Sequence, residues 1–284
     1  MNQENILIIG SNGQLGTALK LQYPNATNVD FKELDITNLE ELKKFNWSRF
    51  KIILNAAAYT NVDGAETEEG RVMAWKVNAI GPKNLSIIAR DNDLTLLHIS
   101  TDYVFDGKIN NHNEDEFFSP LSVYGSSKAA GDIIVSSLPK HYILRTSWVI
   151  GEGKNFVKTM IELGKKGINP NVVSDQIGRL TFTNELVRAI DFLINTSSIF
   201  GTYNLSNSGE EKSWADITRR IFEYMNMTNN VINVSTEEYY KDKEGIAPRP
   251  LKSTLNLSKI QSKGFKSRAW EEELIDYIKK ETSS

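Results

Sequence analysis

Ile6-Leu7-Ile8-Ile9-Gly10-Ser11-Asn12-Gly13-Gln14-Leu15-Gly16 decides how this chain is read. The apolar run Ile6 to Ile9 has no alternation, which is the pattern of a strand covered on both faces. Leu15 to Leu21 then reads as a helix, so the glycines occupy a strand-to-helix turn. That is the context a dinucleotide-binding fingerprint requires. Missing side chains let the turn close, let backbone N–H groups approach a pyrophosphate, and seat that anion on the positive end of the helix. Glycines alone also serve ordinary tight turns; the buried strand in front of them is what favours an anion cradle.

Working outward, the same strand-then-helix pattern recurs. Ile52-Ile53-Leu54, Leu94 to Ile99 and Tyr142-Ile143-Leu144 read as further buried strands, and Leu39 to Phe45, Trp75 to Ala89 and Ser126 to Val135 as the helices between them. This alternation predicts an α/β fold over residues 1–150, a Rossmann-like doubly wound parallel sheet with right-handed crossovers. The pattern changes after Ile150. Phe156 to Gly164 reads as a helix, Val172-Val173 as a short strand, and Glu185 to Ile194 as a helix with Leu186, Ala189, Ile190 and Leu193 on one face. Ser213-Trp214-Ala215-Asp216 resembles a capping box opening a helix that carries Ile217, Ile221 and Tyr224. A last helix is predicted over Trp270 to Ile278, with Lys279 to Ser284 frayed. Residues 151–284 thus read mainly as a smaller C-terminal substrate lobe, some of whose segments return to the first domain.

Composition narrows the function. The 284 residues include 33 Lys and Arg against 36 Asp and Glu, a net charge of −3 without blocks of like charge, which speaks against nucleic acid or a polybasic membrane anchor. No cysteine is present, so disulfides, thiolate metal sites and cysteine nucleophiles are excluded. The first apolar run is too short for a signal peptide, and no later run approaches the roughly 20 residues of a membrane span. A cytoplasmic protein acting on a small molecule is expected. His98, His112 and His141 are scattered and suggest no metal cluster; His98 reads as a strand residue with a local partner.

Several side chains carry chemistry. Tyr124 and Lys128, four apart on a predicted helix, share a face, so an ammonium can lie near a phenol. Reducing a ketone needs hydride on carbon and a proton on oxygen; a nicotinamide supplies the first and Tyr124 would supply the second. A free phenol titrates near pH 10, so Lys128 is expected to lower it. Ser100-Thr101 ends the strand Leu94 to Ile99, where the carboxyl ends of parallel strands face the ligand crevice, and Thr101 can hydrogen-bond the same carbonyl oxygen. An ordinary strand-to-loop cap is the competing reading of Thr101. Asp30 lies about 20 residues beyond the first glycine, where it can accept from an adenosine ribose and favour NADH; Lys32 counters its repulsion of a 2′-phosphate, so NADPH stays open. Arg249, between Pro248 and Pro250, offers a donor fork suited to a diphosphate.

With these residues assembled, the chain resembles the extended short-chain dehydrogenase/reductases and, within them, the dTDP-4-dehydrorhamnose reductase family. The glycine spacing, Tyr124-Gly125-Ser126-Ser127-Lys128, Asn55-Ala56-Ala57-Ala58-Tyr59-Thr60-Asn61-Val62-Asp63, Ser100-Thr101-Asp102-Tyr103-Val104-Phe105-Asp106-Gly107, Arg145-Thr146-Ser147-Trp148 and Asn155-Phe156-Val157-Lys158-Thr159-Met160 carry that resemblance. It implies reduction of a nucleotide-linked 4-keto-6-deoxy sugar with NADPH or NADH, by a monomer or homodimer, for surface polysaccharide synthesis. Gly10, Asn12, Gly13, Gln14, Leu15, Gly16, Asp30, Asp35, Ile36, Asn55 to Ala58 at the end of a fourth strand, Tyr59 and Asn78 would hold the cofactor with Tyr124 and Lys128. Asn78 is implied to support the lysine through water. Thr101, Tyr124 and Lys128 would do the chemistry, Val62, Asp102, Tyr103 and Trp148 would shape the sugar pocket, and Asn155, Phe156, Gln176 and Arg249 would line the nucleotide-diphosphate side. Two departures stand out: Arg179-Leu180 replaces a small residue and proline, and Ala18 stands where some members place a Mg2+-bridging carboxylate. The rivals are a non-catalytic regulatory subunit similar to the methionine adenosyltransferase beta subunit, and a reductase or epimerase of another NDP-sugar.

Overall fold

A computed structural model describes residues 2–196 and 198–282. The first half runs β1 (Ile6–Ile9), α1 (Gln14–Gln22), β2 (Thr27–Val29), α2 (Leu39–Lys44), β3 (Ile52–Asn55), α3 (Glu68–Trp75), a π-turn (Lys76–Ile80), α4 (Gly81–Asp91), β4 (Thr95–Thr101), α5 (Val123–Ser136) and β5 (His141–Thr146). Strands pair in the order β2-β1-β3-β4-β5, all parallel. The chain therefore leaves β1 towards one edge, then returns past it to β3, which opens a crevice at the carboxyl ends of β1 and β3. Side chains alternate as the pleat requires: Ile6 and Ile8 pack under α1 with Leu54, Leu97 and Leu144, while Leu7 and Ile9 pack on the opposite face with Ile53, Leu85 and Ile88.

The helix expected over Trp75 to Ala89 is the later part of a longer helical run that starts at Glu68. Thr67 caps that start by accepting the Gly70 N–H at 3.0 Å, with Glu68 and Glu69 in the first turn. The run slips into a π-turn because Pro82 has no N–H to give the Asn78 carbonyl four residues back. Helix α5 likewise begins earlier than Ser126, since Ser122 accepts the Gly125 N–H at 3.1 Å, and this puts Tyr124 in its first turn.

The second half runs β6 (Val149–Ile150), α6 (Phe156–Lys165), β7 (Asn171–Val173), β8 (Ile177–Gly178), β9 (Thr181–Phe182), α7 (Thr183–Asn195), β10 (Gly201–Asn204), β11 (Lys212–Ser213), α8 (Trp214–Tyr224), β12 (Ile232–Val234), α9 (Thr236–Tyr240), α10 (Ser258–Ser262) and α11 (Trp270–Thr282). Strand β10 extends the main sheet beside β5, and α7 packs its Leu186 and Ile190 into the α1 core. Helix α10 adds Ile260 to that same core, while α6, α8, α11 and the short strands between them bury a separate cluster around Val157, Leu180, Ile217, Phe222, Trp270 and Leu274. The capping box forms: Ser213 Oγ accepts from Asp216 N at 3.1 Å, and Asp216 accepts from Ser213 N at 3.2 Å. Helix α11 continues past Ile278 to Thr282, so the predicted fraying from Lys279 is not what the chain does; Glu281 pairs with Lys158 at 3.1 Å, while Ser283 and Ser284 lie outside the described residues. Among the described residues no helix is long and apolar enough to cross a membrane.

Candidate active site

The glycines divide their work. Gly10 sits at φ +78°, and a Cβ there would lie 2.5 Å from the Ala57 nitrogen. A Cβ on Gly16 would lie 2.1 Å from the Gly10 carbonyl oxygen, so these two positions let the turn pack. Gly13 is different: a Cβ there would meet only the Gly10 oxygen, at 3.5 Å, and no side chain caps α1 at this position. The turn borders a crevice of about 380 Å³ lined by Gly10, Asn12, Gly13, Asp30, Asp35, Ile36 and Ala56 to Tyr59, while the first helical residues Gln14 and Leu15 line the adjoining one. An uncapped helix start, a glycine with an open face and a wall of alanines fit a dinucleotide.

Asp30 lines the crevice, yet its carboxylate also braces the loop, accepting the Asn12 and Phe31 N–H groups at 2.8 Å each. Asp35 accepts from Thr37 N at 2.8 Å, and the Ile36 carbonyl accepts from Asn84 at 3.0 Å. Asn55 ends the third strand in chain order rather than a fourth. Buried there, it meets His98 Nδ1 at 3.0 Å and accepts the Ala57 N–H at 3.2 Å, so His98 has the local partner expected of it. Asn78, in the π-turn, accepts Tyr59 N–H at 2.9 Å and donates to the Tyr59 carbonyl and to Ser127 Oγ at 3.0 Å each. It thereby ties the crevice wall to α5 at the residue beside Lys128.

Thr101, Tyr124 and Lys128 converge. They line one crevice of about 480 Å³ together with Gln14, Leu15, Val62, Asp102, Tyr103, Trp148 and Trp214. Thr101 stands at the last position of β4 on the same crevice wall as the Tyr124 phenol, its hydroxyl donating to Asp102 Oδ1 at 3.1 Å and accepting the Tyr103 N–H at 3.2 Å. Helix α5 is held in place by Glu66, which accepts the Val123 N–H at 2.9 Å. Lys128 is 2% exposed and donates to the Ile99 carbonyl at 2.6 Å. Burial pushes its pKa down to about 8, opposed by the Asp132 carboxylate one helical turn away. Asp132 in turn accepts from Arg145 Nε at 2.9 Å in a buried pair. The expectation that Lys128 lowers the phenol is corrected here: burial raises the Tyr124 pKa above its ordinary value, Thr101 pulls it down, and the negative charges of Asp102 and Asp132 push it up. Asp102 is itself raised to about 6 by burial, opposed by the Ser253 and Thr101 hydroxyls, of which Thr101 donates to Oδ1 at 3.1 Å.

Beyond this crevice lies a second one of about 320 Å³, lined by Tyr103, Trp148, Phe156, Gln176, Trp214, Tyr239, Tyr240 and Arg249 among others. Trp148 borders both. It holds φ +47°, uncommon for a bulky residue, with its indole stacked on Trp214 at 3.7 Å and against Gly178, whose added Cβ would come within 3.0 Å. Gln176 donates to Thr236 Oγ1 at 3.1 Å and accepts from Trp214 Nε1 at 3.3 Å. Arg249 donates to Asp63 at 2.8 Å and to the Ala247 carbonyl at 2.8 Å. Asn155 departs from expectation: its side chain caps α6 by accepting from Lys158 N at 3.0 Å and donates to the Tyr277 hydroxyl at 2.7 Å, and it does not line either crevice. The unusual Arg179-Leu180 is accommodated by burying Leu180 in the cluster around Val157 and Trp270 and pairing Arg179 with Glu211 at 3.7 Å. Ala18 packs against the α1 core, and no group of three or more His, Cys, Asp or Glu that could hold a metal occurs among the described residues. Trp214, Asp63, Tyr239 and Tyr240 were not singled out from sequence; Trp214 carried one signal, an aromatic directly after a helix cap.

The profile described as RmlD substrate binding domain matches residues 4–283. A dTDP-4-dehydrorhamnose reductase of Aggregatibacter actinomycetemcomitans is 39% identical over 95% of this chain and 96% of its own length. The spore coat polysaccharide biosynthesis protein SpsK of Bacillus subtilis is 34% identical over 98% of each chain. The crystal structure of dTDP-4-dehydrorhamnose reductase from Bacillus anthracis in complex with NADP superposes with a TM-score of 0.88 at 38% identity, covering 97% of this chain and 98% of that one. With this match along almost its whole length and in its fold, the chain belongs to the RmlD family, that of the dTDP-4-dehydrorhamnose reductases.

Proposed function

We propose that this chain reduces the 4-keto group of dTDP-4-dehydro-6-deoxy-L-mannose (dTDP-4-dehydrorhamnose) to give dTDP-L-rhamnose, drawing on NADPH or NADH, for surface polysaccharide synthesis in the cytoplasm. In this reading residues 1–150 hold the cofactor and residues 151–284 mainly the sugar nucleotide. The observation that carries it is the convergence of Thr101, Tyr124 and buried Lys128 on one crevice whose wall shares Gly13, Ala56 and Ala58 with the dinucleotide cradle. A bound nicotinamide supplies hydride to the carbonyl carbon. Tyr124 donates its proton to the carbonyl oxygen, and the raised phenol pKa keeps that proton in place until the oxygen becomes basic enough to take it. With substrate bound, the Thr101 hydroxyl turns its one proton from Asp102 to the same oxygen and steadies the charge that builds there. The Lys128 ammonium stabilises the phenolate left behind and the cofactor ribose beside it. Val62, Asp102, Tyr103 and Trp148 enclose the sugar, while Phe156, Gln176 and Arg249 take the nucleotide diphosphate.

The test mixes the purified chain with dTDP-4-dehydrorhamnose and follows reduced-cofactor absorbance, with NADPH and NADH in parallel. Consumption is expected; none with any 4-keto sugar nucleotide, alongside intact cofactor binding, would favour the regulatory-subunit reading. Tyr124→Phe should cut kcat by at least about 100-fold and weaken cofactor affinity far less; equal losses in both would argue for a structural role.

A further inference from the structure

The Arg249 guanidinium is held on three sides. Nη2 donates to Asp63 Oδ2 at 2.8 Å, Nη1 donates to the Ala247 carbonyl at 2.8 Å, and the guanidinium carbon lies 4.8 Å from the centroid of the Tyr240 ring. Asp63 closes the ring by accepting the Ala247 N–H through Oδ1 at 3.1 Å. This carboxylate comes from the loop between β3 and α3, the residue after Val62 of the sugar crevice, and reaches a segment 186 positions away in the chain. Its pKa is held below the ordinary carboxylate value: burial works against this, but Arg249, the Ala247 amide and the Lys243 charge outweigh it. Two of the five guanidinium N–H groups are used in the ring, and Arg249 lines the second crevice.

We propose that Asp63 is a positioning residue for substrate, holding the Arg249 fork at a set distance from the sugar crevice so that one diphosphate can be gripped while the keto group lies beside Tyr124. This rests on the reductase reading and on Arg249 as the diphosphate donor. An arginine free to rotate loses rotamer entropy when it grips an anion; one already pinned by a carboxylate and a carbonyl loses little. Asp63 also ties the two crevices into one frame, because Val62 moves with it.

The experiment compares wild type, Asp63→Asn and Asp63→Ala by calorimetric titration with dTDP, thymidine and NADPH, and by steady-state kinetics with the 4-keto sugar nucleotide. Asp63→Asn keeps an oxygen acceptor for the Ala247 N–H and removes the charged partner of Arg249. The expected result is a dTDP dissociation constant raised about tenfold in Asp63→Ala and less in Asp63→Asn, a matching rise in KM, kcat within about threefold, and unchanged thymidine and NADPH binding. Tighter dTDP binding in either variant would overturn the proposal, since Asp63 would then be competing with the diphosphate rather than aiming its donor. Parallel losses for thymidine and NADPH would overturn it too, by making Asp63 a general strut. If wild type itself neither binds dTDP nor turns over, the reductase reading fails, a result distinct from both.

Discussion

Gly13→Ala separates an anion cradle from an ordinary turn. At φ −72° and ψ 172° the backbone of Gly13 suits alanine, and the new methyl would meet only the Gly10 oxygen at 3.5 Å, an ordinary contact. Replacing glycine at a compatible conformation gains about 0.4–1 kcal/mol through the unfolded chain. Alanine is a poorer helix N-cap than glycine by a similar amount, roughly 0.5–1 kcal/mol, so the two effects nearly cancel. Stability should stay within about 1 kcal/mol of wild type, a change in Tm of no more than about 4 °C for a chain of this size. Cofactor affinity should not survive so well, because the methyl stands on the open face through which a pyrophosphate reaches the α1 N–H groups. Losing even one charge-assisted hydrogen bond, about 1.5–3 kcal/mol, raises the NADPH dissociation constant at least about tenfold. Fluorescence titration with NADPH and a thermal melt read both quantities from one preparation. Gly16→Ala is the contrast: its Cβ would lie 2.1 Å from the Gly10 oxygen and 2.7 Å from Ser11 Cα, backbone atoms that cannot step aside, so folding itself should weaken by about 1–3 kcal/mol or more. A folded Gly13→Ala protein that binds NADPH as tightly as wild type would refute the cradle.

Two further outcomes follow from the buried charges. Lys128 carries its useful charge only below its lowered pKa of about 8, so kcat/KM should be level below that value and fall as pH rises through it; a profile flat to pH 10 would show that the ammonium is not needed. Asp132→Asn leaves Arg145 buried without its partner and should cost about 3–5 kcal/mol in urea denaturation. It should also move the alkaline limb to lower pH, because Asp132 is the charge that opposes the effect of burial on Lys128; a variant as stable as wild type with an unmoved limb would contradict the role given to this pair.

What the sequence determined by itself is what short-range physics encodes. Unbroken apolar runs such as Ile6 to Ile9 marked the buried strands, the glycines after β1 marked a turn that only small residues close, and the spacing of Tyr124 and Lys128 put both on one helical face. Ser213 with Asp216 announced a helix start that the backbone then adopts. The tertiary structure alone decided the rest. β2 (Thr27-Asn28-Val29) and β10 (Gly201-Thr202-Tyr203-Asn204) lack the unbroken apolar run that marks β1, and they become strands because β1 and β5 offer unpaired edges. Asn155 looked like a ligand contact and is a cap, since the choice depends on where α11 brings Tyr277. The phenol of Tyr124 was expected to titrate low beside a lysine; it is pushed up because desolvation depends on everything packed around a group, and a pair spacing along one helix says nothing of that. Asp63 and Arg249, like Trp148 and Trp214, meet across long stretches of chain, so no local pattern announces these pairings and only the packed fold brings the side chains within reach.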